Sequence, residues 1–169
     1  LCTSVTGDYY TPATANIVQG KLGIEHAFSI DINCACAGFV YALDMARRYI
    51  ATEDDVNTVL IVSPENITKL VDYTDRSTCV LFGDGAGAAV ITAADAPFYS
   101  YLMANGYGAD KIYAQSIRPG NAFTNREKAE RFQELFPQGN EHYMYMAGNE
   151  VYKFATTKMP EALQKACEK

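Results

Sequence analysis

The sequence predicts an α/β fold in which a mainly parallel sheet carries helices on both faces. Two observations support this class. Apolar segments of strand length alternate with amphipathic helical segments through the first half of the chain. The composition, with 49% apolar and 20% charged residues in a chain of 169, is that of a folded domain with a sizeable core.

The elements of the first half follow from hydrophobic periodicity and from residues that end helices. A short helix runs through "TPATANIVQGKLG" and closes at Gly20 to Gly23. The glycine-rich segment "TCVLFGDGAGAAVIT" is predicted to be a strand interrupted by glycines. The predicted elements are strands at 1–6, 27–33, 57–63 and 78–92 and helices at 11–23 and 36–50.

The helix predicted at 36–50 is amphipathic. Its apolar residues recur at steps of four, three and four, which places one stripe against the sheet: Phe39, Leu43, Ala46 and Ile50. Asp44, Arg47 and Arg48 fall on the opposite side. Asp44 and Arg48 are spaced for an i,i+4 ion pair on that polar side.

The second half has a different pattern. Short strands with glycine turns are predicted at 98–117, and a polar helix at 125–136 with Asn125 as its N-cap. A longer helical pattern starts at Gly148, and Pro160 is expected to kink it or to start a new segment. The apolar face of this pattern is formed by Val151, Phe154, Ala155, Met159, Ala162 and Leu163.

Composition and charge exclude several functions. No apolar run approaches the roughly 18 residues that span a bilayer, and a net charge of −6 argues against a general nucleic-acid surface. Five cysteines, an odd number, in a chain without secretory features predict reduced thiols in a cytoplasmic protein. The chain opens with Leu in a strand-like run and stops within a helical pattern, so we expect an internal piece of a longer protein.

Two cysteines stand where an apolar strand meets the start of a helix. Cys34 and Cys36 are flanked there by small residues. Free N–H groups and the positive end of the helix dipole gather at such a corner and favour a thiolate. Three interpretations remain open from the residues alone: a nucleophile, two small side chains that pack a tight turn, and a Cys-x-Cys metal or redox pair. The last is weakened because no other Cys or His lies at ligand spacing.

Four segments of the chain resemble the β-ketoacyl-[acyl carrier protein] synthase III family. They are "TGDYYTPATANIVQGKLG", "CACAGFVYALDMARRYI", "DYTDRSTCVLFGDGAGAAVI" and "MAGNEVYKFATTKMPEAL", in that order. The resemblance covers nearly the whole chain except about 97–143. It implies a thiolase-like layered αβαβα fold. The implied divisions are the rest of the N-terminal half with the nucleophile (1–96), connecting strands and a helix (97–145), and the truncated first helix of the C-terminal half (146–169).

The resemblance also implies an activity. The family's nucleophilic cysteine precedes Ala-Gly-Phe, which assigns the role to Cys36 and not to Cys34. Cys36 would take an acyl group from coenzyme A as a thioester, and malonyl-acyl carrier protein would then condense with it to begin a fatty acid. Coenzyme A is here part of a substrate, so no cofactor and no metal are expected. The implied assembly is a homodimer, with no nucleic-acid or membrane partner.

Further site residues come from the resemblance alone. Arg76 matches an arginine at the adenine end of coenzyme A, although it could equally form a solvated salt bridge with Asp72 or Asp75. Phe82 matches an aromatic beside the acyl pocket, or it is a plain core residue.

The remaining matches lie near the end of the chain and near its start. Met146, Gly148 and Tyr152 match positions along the pantetheine channel. Lys153 would face the docked carrier protein, or it is an ordinary exposed helix lysine. Thr11 stands where many members carry a Phe that reaches the partner subunit's acyl pocket, so selectivity for acetyl primers is in doubt.

Part of the family's catalytic machinery does not occur in this sequence. The motifs His-Gln-Ala-Asn and Gly-Asn-Thr-Ser supply the family's catalytic His and Asn and lie further toward the C-terminus, whereas the two histidines here, His26 and His142, stand in other contexts. Two alternatives to a ketoacyl synthase III are therefore kept. One is a non-catalytic thiolase-fold piece that assembles with a partner, and the other is a related condensing enzyme of secondary metabolism.

Overall fold

A computed structural model describes residues 1–114 and 142–169, and this part of the chain forms two compact units. The first unit comprises Leu1–Ile67 and Gly83–Ser100. The second comprises Thr68–Phe82 and Tyr101–Lys169.

The first unit contains a four-stranded mixed sheet and two α-helices. Strand β1 pairs in parallel with β2 and with β3, whereas β3 and β4 pair antiparallel over nine residues, in the sheet order β2-β1-β3-β4. The α/β prediction is confirmed, with the longest strand pair antiparallel. The elements are β1 (Cys2–Thr3), α1 (Thr14–Leu22), β2 (Asp31–Ile32), α2 (Gly38–Thr52), β3 (Thr58–Asn66) and β4 (Asp84–Thr92).

Helix α2 packs on the sheet and forms the core with β3. Ala42 and Ala46 on the helix and Val59 and Ile61 on the strand are buried together. The predicted apolar stripe is confirmed, because its larger members lie partly buried around this cluster. Burial of small alanines against branched strand residues lets the helix approach the sheet closely.

Asp44 of α2 is buried, which corrects its predicted place on a solvent-facing side. Its carboxylate accepts a hydrogen bond from Ser100 Oγ at 2.6 Å and one from Arg48 Nε at 2.6 Å. The predicted i,i+4 pair therefore exists, but the segment that ends at Ser100 covers it. The Arg47 guanidinium lies over the ring of Phe98, 5.5 Å from its centre.

Helix α1 agrees with its prediction and owes its ends to specific residues. The backbone N–H groups of Thr14 and Ala15 donate to the two carboxylate oxygens of Asp31, both at 2.7 Å. This satisfies two of the donors that a helix start leaves free. The helix ends at Gly23, which adopts the left-handed conformation with φ 65°.

Several predicted strands are shorter or begin later than expected. The first and second strands are two residues each, instead of spanning 1–6 and 27–33. The predicted strand at 78–92 begins only at Asp84. The residues before it form turns, because Asp75 accepts hydrogen bonds from Ser77 and Thr78 and so holds the backbone away from a strand ladder.

The described part of the second unit contains a short antiparallel strand pair and one long helix. Strands β5 (Ile112–Tyr113) and β6 (Tyr145–Met146) pair antiparallel. The backbone continues directly into α3 (Gly148–Cys167), and Ala147 N–H donates to the carbonyl of Lys111 at 2.8 Å. Short strands were predicted at 98–117, and within the described residues of that range, 98–114, the structure has one.

Helix α3 runs through Pro160 without interruption, so no new segment starts there. A proline removes only one hydrogen bond from the helix ladder, and the Lys158–Glu161 ion pair, 2.6 Å long, spans the position. Three residues of the predicted apolar face are exposed in the described part of the chain, at 47%, 70% and 67%: Phe154, Met159 and Leu163. The predicted helix at 125–136 lies outside the described residues.

In residues 1–114 and 142–169, no helix has both the length and the apolar character needed to cross a membrane.

Candidate active site

Cys36 lies in a single 3-10 turn, Ala35–Ala37, that leads directly into α2. The predicted helix at 36–50 therefore starts two residues later, as an α-helix, at Gly38. Ala37 N–H donates to the carbonyl of Cys34 at 3.1 Å and closes the turn. No side chain caps α2, because its N-cap residue is Ala37. The first backbone N–H groups of the helix thus have no side-chain acceptor of their own.

The turn has an unusual backbone conformation at the residue before Cys36. Ala35 has φ 44°, in the left-handed region that residues with a β-carbon rarely adopt. The left-handed conformation of a non-glycine residue is about 1–2 kcal/mol less favourable than the ordinary right-handed one. A left-handed residue turns the chain sharply, and here it sets the bend between the end of β2 and the start of the helix.

The start of α2 rests on β1 through a contact between the backbone of Gly38 and the side chain of Thr3. Gly38 is buried, and a β-carbon added there would lie 2.9 Å from the β-carbon of Thr3. Thr3 is itself buried, and its hydroxyl lies 2.5 Å from that of Ser63 on β3. Gly38, Thr3 and Ser63 thus connect the cysteine turn to the middle of the sheet.

The five cysteines are free and differ in exposure. Cys36 and Cys167 are exposed, Cys34 and Cys79 are half-buried, and Cys2 is buried. Burial raises the pKa of the Cys2 thiol to about 11, with a further contribution from the charge of Asp31. Cys2 is therefore a neutral core side chain at physiological pH, whereas the sulfur of Cys36 is open to reagents.

Thr11 lies on an exposed loop that two carboxylates hold, one at each end. Glu65 of β3 accepts hydrogen bonds from Val5 N–H at 2.9 Å and from Thr6 Oγ1 at 2.6 Å. At the other end, Asp31 holds the start of α1 as described above. The loop between these ends presents Thr11, together with Tyr10, which is 74% exposed.

A cavity of about 550 Å³ lies elsewhere in the first unit. Its walls come from α1, the segment before β2 and the start of β3, and its lining includes Val18, Phe28 and Leu60. Cys36 is not part of the lining. His26 is, so this histidine lies at the cavity and not at the cysteine turn.

Arg76 lies exposed in the turn-rich segment that precedes β4. Asp72 and Asp75 were alternative salt-bridge partners for it, but they accept hydrogen bonds from Thr74 and Ser77 instead. These hydrogen bonds hold the pKa of each aspartate below its ordinary value. Within the part of the chain that the structure describes, Arg76 makes no ion pair with either of them.

The other predicted binding residues lie in the second unit as well. Phe82 and Met146 are half-buried, whereas Gly148, Tyr152 and Lys153 are exposed on the first turns of α3. Met146 and Gly148 are neighbours, since a β-carbon at Gly148 would lie 3.8 Å from the Met146 methyl group. The structure therefore places Met146, Gly148, Tyr152 and Lys153 together at the start of α3, whereas Phe82 belongs to the turn-rich segment before β4.

The predicted site residues divide between the two units. Cys36 and Thr11 belong to the first unit, and Arg76 with the α3 group belongs to the second. Sequence reasoning missed Thr3 and Glu65, which fix the surroundings of Cys36 and Thr11. The sequence offered one signal for them, namely a polar side chain within or beside an apolar strand segment. Among the residues with described positions, no cluster of His, Cys, Asp or Glu is arranged to hold a metal ion.

Comparisons with known proteins match this arrangement to one family. The family model of 3-oxoacyl-[acyl-carrier-protein] synthase III matches residues 30–106, which include the cysteine turn, α2, β3 and β4. The chain is 38% identical, over 98% of its length, to the β-ketoacyl-[acyl-carrier-protein] synthase III of Latilactobacillus sakei. The chain belongs to the 3-oxoacyl-[acyl-carrier-protein] synthase III family. The predicted resemblance is confirmed.

Solved structures of a 3-oxoacyl-[acyl-carrier-protein] synthase III and of a priming β-ketosynthase have the same fold over this region. The enzyme from Thermus thermophilus superposes with a TM-score of 0.81 at 32% identity, over 99% of this chain and 48% of its own. The priming β-ketosynthase of the R1128 polyketide pathway superposes with a TM-score of 0.75 at 27% identity, over 95% of this chain and 45% of its own. The thiolase-like fold prediction is thus confirmed. The chain spans about half the length of the curated relatives it matches, 49% for the L. sakei protein.

Proposed function

We propose that Cys36 is the acyl-accepting nucleophile of a condensing acyltransferase that joins an acyl-coenzyme A primer to malonyl-acyl carrier protein. The observation that carries this proposal is the exposed thiol of Cys36 on a fixed turn at the start of α2, within the region that matches the family model. The resemblance implies a role at the beginning of fatty-acid synthesis, and we extend that role to this protein.

The first step is acyl transfer. The Cys36 thiolate attacks the thioester carbonyl of the acyl-coenzyme A, and coenzyme A leaves as its thiolate. A tetrahedral oxyanion forms on the way and is stabilised by fixed N–H donors. Backbone N–H groups of the cysteine turn and of the start of α2, where no side chain acts as a cap, are the candidates for this role.

The second step is condensation. Malonyl-acyl carrier protein loses carbon dioxide, the resulting carbanion attacks the acyl carbon, and the Cys36 thiolate is released. The resemblance assigns stabilisation of this carbanion to a His and an Asn whose motifs do not occur in this sequence. Losing one preorganised donor typically lowers kcat about 10²–10³-fold. We therefore expect this chain to accept an acyl group but not to condense it.

The other binding roles are part of the same proposal. Arg76 would contact the adenine end of coenzyme A, and Phe82 would line the acyl pocket. Met146, Gly148 and Tyr152 would line the pantetheine channel. Coenzyme A enters as a substrate, and no cofactor is needed for either step.

The proposal also includes a carrier-protein contact, an oligomeric state and a cellular location. The exposed Lys153 at the start of α3 would meet the acidic carrier protein. We propose a homodimer located in the cytoplasm as the working assembly, without nucleic-acid or membrane partners. The net charge of −6 accords with the absence of a nucleic-acid partner.

A related condensing enzyme of secondary metabolism is the second candidate. The specific observation that favours it is the TM-score of 0.75 with a priming β-ketosynthase of a polyketide pathway. The small Thr11 at a position where many relatives carry Phe is in line with primers longer than acetyl. A non-catalytic role in assembly with a partner is the third possibility, and the experiment below separates it from an enzyme that accepts acetyl primers.

The experiment supplies radiolabelled acetyl-coenzyme A and unlabelled malonyl-acyl carrier protein to the purified chain. The proposal predicts label bound to the chain through a hydroxylamine-sensitive bond, and no acetoacetyl product on the carrier protein. A folded chain that takes up no label would contradict the acyltransferase proposal and support the non-catalytic one. Acetoacetyl product from this chain alone would show that the His and Asn are not required.

A further inference from the structure

We propose that Thr3 and Ser63 are positioning residues for the nucleophile: their hydroxyl pair holds the surface on which Gly38 rests, and so fixes the turn that carries Cys36. This inference rests on the proposed function, because it concerns the same cysteine. Neither residue lies near Cys36 in sequence. The connection runs through three elements of the first unit, from β3 to β1 to the start of α2.

The first step is the contact between Gly38 and Thr3. A β-carbon on Gly38 would stand 2.9 Å from the Thr3 β-carbon, 3.4 Å from its hydroxyl oxygen and 3.5 Å from its methyl carbon. Real β-carbons essentially never approach another carbon to 2.9 Å, so the helix start is seated as closely on β1 as its backbone allows. The surface that receives it is the Thr3 side chain.

The second step is the fixation of that side chain. Thr3 is 2% exposed, and the Thr3 and Ser63 hydroxyl oxygens lie 2.5 Å apart. A β-branched side chain has few χ1 conformations, and a buried hydroxyl needs its partner. The pair therefore favours the rotamer in which the Thr3 methyl and hydroxyl groups face Gly38 as observed.

The third step links Gly38 to the cysteine. Gly38 N–H donates to the carbonyl of Ala35, and Ala37 N–H donates to that of Cys34. These bonds enclose Cys36 in one turn, so a displacement of Gly38 displaces the sulfur. Anions are stabilised near a helix N-terminus, and the reactive form of a cysteine is the thiolate. The reactivity of Cys36 should therefore depend on where Gly38 sits.

The test measures the rate of alkylation of Cys36 by iodoacetamide and divides it by the rate for Cys167 in the same molecules. Cys167 is also exposed but lies in the second unit, so the ratio cancels differences in reagent and pH. Rates are read peptide by peptide by mass spectrometry. Urea unfolding midpoints are measured on each variant, which separates a change of position from a loss of fold.

Removal of the hydroxyl pair is the first arm. Thr3→Val and Ser63→Ala should each lower the ratio at least about threefold. Each variant breaks the same hydroxyl pair, so the double variant should lower the ratio no further than either single variant. Thr58→Val is the matched control, since it removes an exposed hydroxyl from the same strand as Ser63 and should leave the ratio unchanged. A merely structural pair would lower the unfolding midpoint and leave the ratio as in the wild type, which would overturn the proposal.

Displacement and rescue form the second arm. Gly38→Ala should lower the ratio at least about fivefold, because the added carbon pushes the helix start from β1. Adding Thr3→Gly removes the opposing β-carbon but also the hydroxyl pair, so it should raise the ratio only to the level of the Thr3→Val variant. A ratio that Gly38→Ala leaves unchanged would overturn the proposal.

If the Gly38→Ala variant does not fold, the Thr3→Val and Ser63→Ala variants alone test the proposal. Acyl transfer from coenzyme A is not part of this test, so a chain that fails to charge with acetyl groups but shows these ratios refutes the proposed function and keeps the positioning roles.

Discussion

Gly38 and Thr3 approach each other so closely at the cysteine turn that a β-carbon built on Gly38 would lie 2.9 Å from the β-carbon of Thr3. Gly38→Val should therefore destabilise the fold by about 1–3 kcal/mol through overpacking. Urea unfolding followed by circular dichroism measures this. Gly20 in α1 is the matched control: nothing lies within 4 Å of its added β-carbon, so Gly20→Ala should leave the midpoint unchanged or raise it. An unchanged midpoint for Gly38→Val would show that the turn is loosely packed.

Ala35 gives a second prediction, because its φ of 44° favours glycine. Ala35→Gly should leave the free energy of unfolding unchanged or raise it by up to about 1 kcal/mol, since relief of the left-handed conformation offsets the added chain entropy. Ala37, with φ −79°, is the control, and Ala37→Gly should cost about 0.5–1 kcal/mol. Equal destabilisation by the two glycines would contradict the strained turn.

The buried carboxylate of Asp44 should make the stability of the fold depend on pH. Burial opposes ionisation of this carboxyl, but the hydrogen bonds from Ser100 and Arg48 and the charges of Arg48 and Arg47 outweigh it and hold the pKa below its ordinary value. A lowered folded-state pKa stabilises the fold above the unfolded value of about 3.9, and this stabilisation is lost as pH falls through the folded value.

The variant Asp44→Asn checks this dependence. It should lower the free energy of unfolding by about 1–3 kcal/mol at pH 7, because hydrogen bonds to a buried charged group are lost. The difference from wild type should shrink at pH 3 and below. Asp95→Asn, at an exposed position, is the control and should behave as wild type at both pH values. A deficit that is the same at pH 7 and at low pH would show that the charge of Asp44 is not what stabilises α2.

Thr11 predicts the primer preference. It lies exposed on the loop whose ends Glu65 and Asp31 hold, so its replacement should not disturb the fold. A small side chain at position 11 leaves room for a longer acyl chain, and burial of each methylene of that chain contributes about 0.8 kcal/mol to binding. A Phe at this position would remove that room. Thr11→Phe should therefore shift charging of Cys36 from hexanoyl- toward acetyl-coenzyme A, measured as the ratio of the two rates. The same ratio in both proteins would remove Thr11 from the acyl pocket.

The long, strongly periodic elements could be predicted from the sequence, and the short ones could not. The apolar stripe of α2 and the glycine end of α1 each follow from local rules, and both agree with the structure. The turns before β4 could not be predicted, because an apolar run favours a strand while hydrogen bonds to Asp75 hold turns there. Asp44 was placed on the wrong side because the residue that covers it, Ser100, lies 56 positions away.

The site was predictable only in part. Cys36 followed from its motif, and its exposure accords with that role. Thr3 and Ser63 could not be found from sequence, since their contact joins two strands 60 residues apart and depends on how closely α2 approaches the sheet. The roles of Cys36, Thr11, Arg76, Phe82 and the α3 residues stay predictions.

The most direct test of the central claim is to locate the acyl group after incubation with acetyl-coenzyme A. Peptide mass spectrometry at mildly acidic pH, which preserves thioesters, reads each of the five cysteines separately. The account predicts acetylation of Cys36, its loss in Cys36→Ala, and its persistence in Cys34→Ala. Acetylation that is centred on Cys34 or Cys167, or that survives in Cys36→Ala, would contradict it.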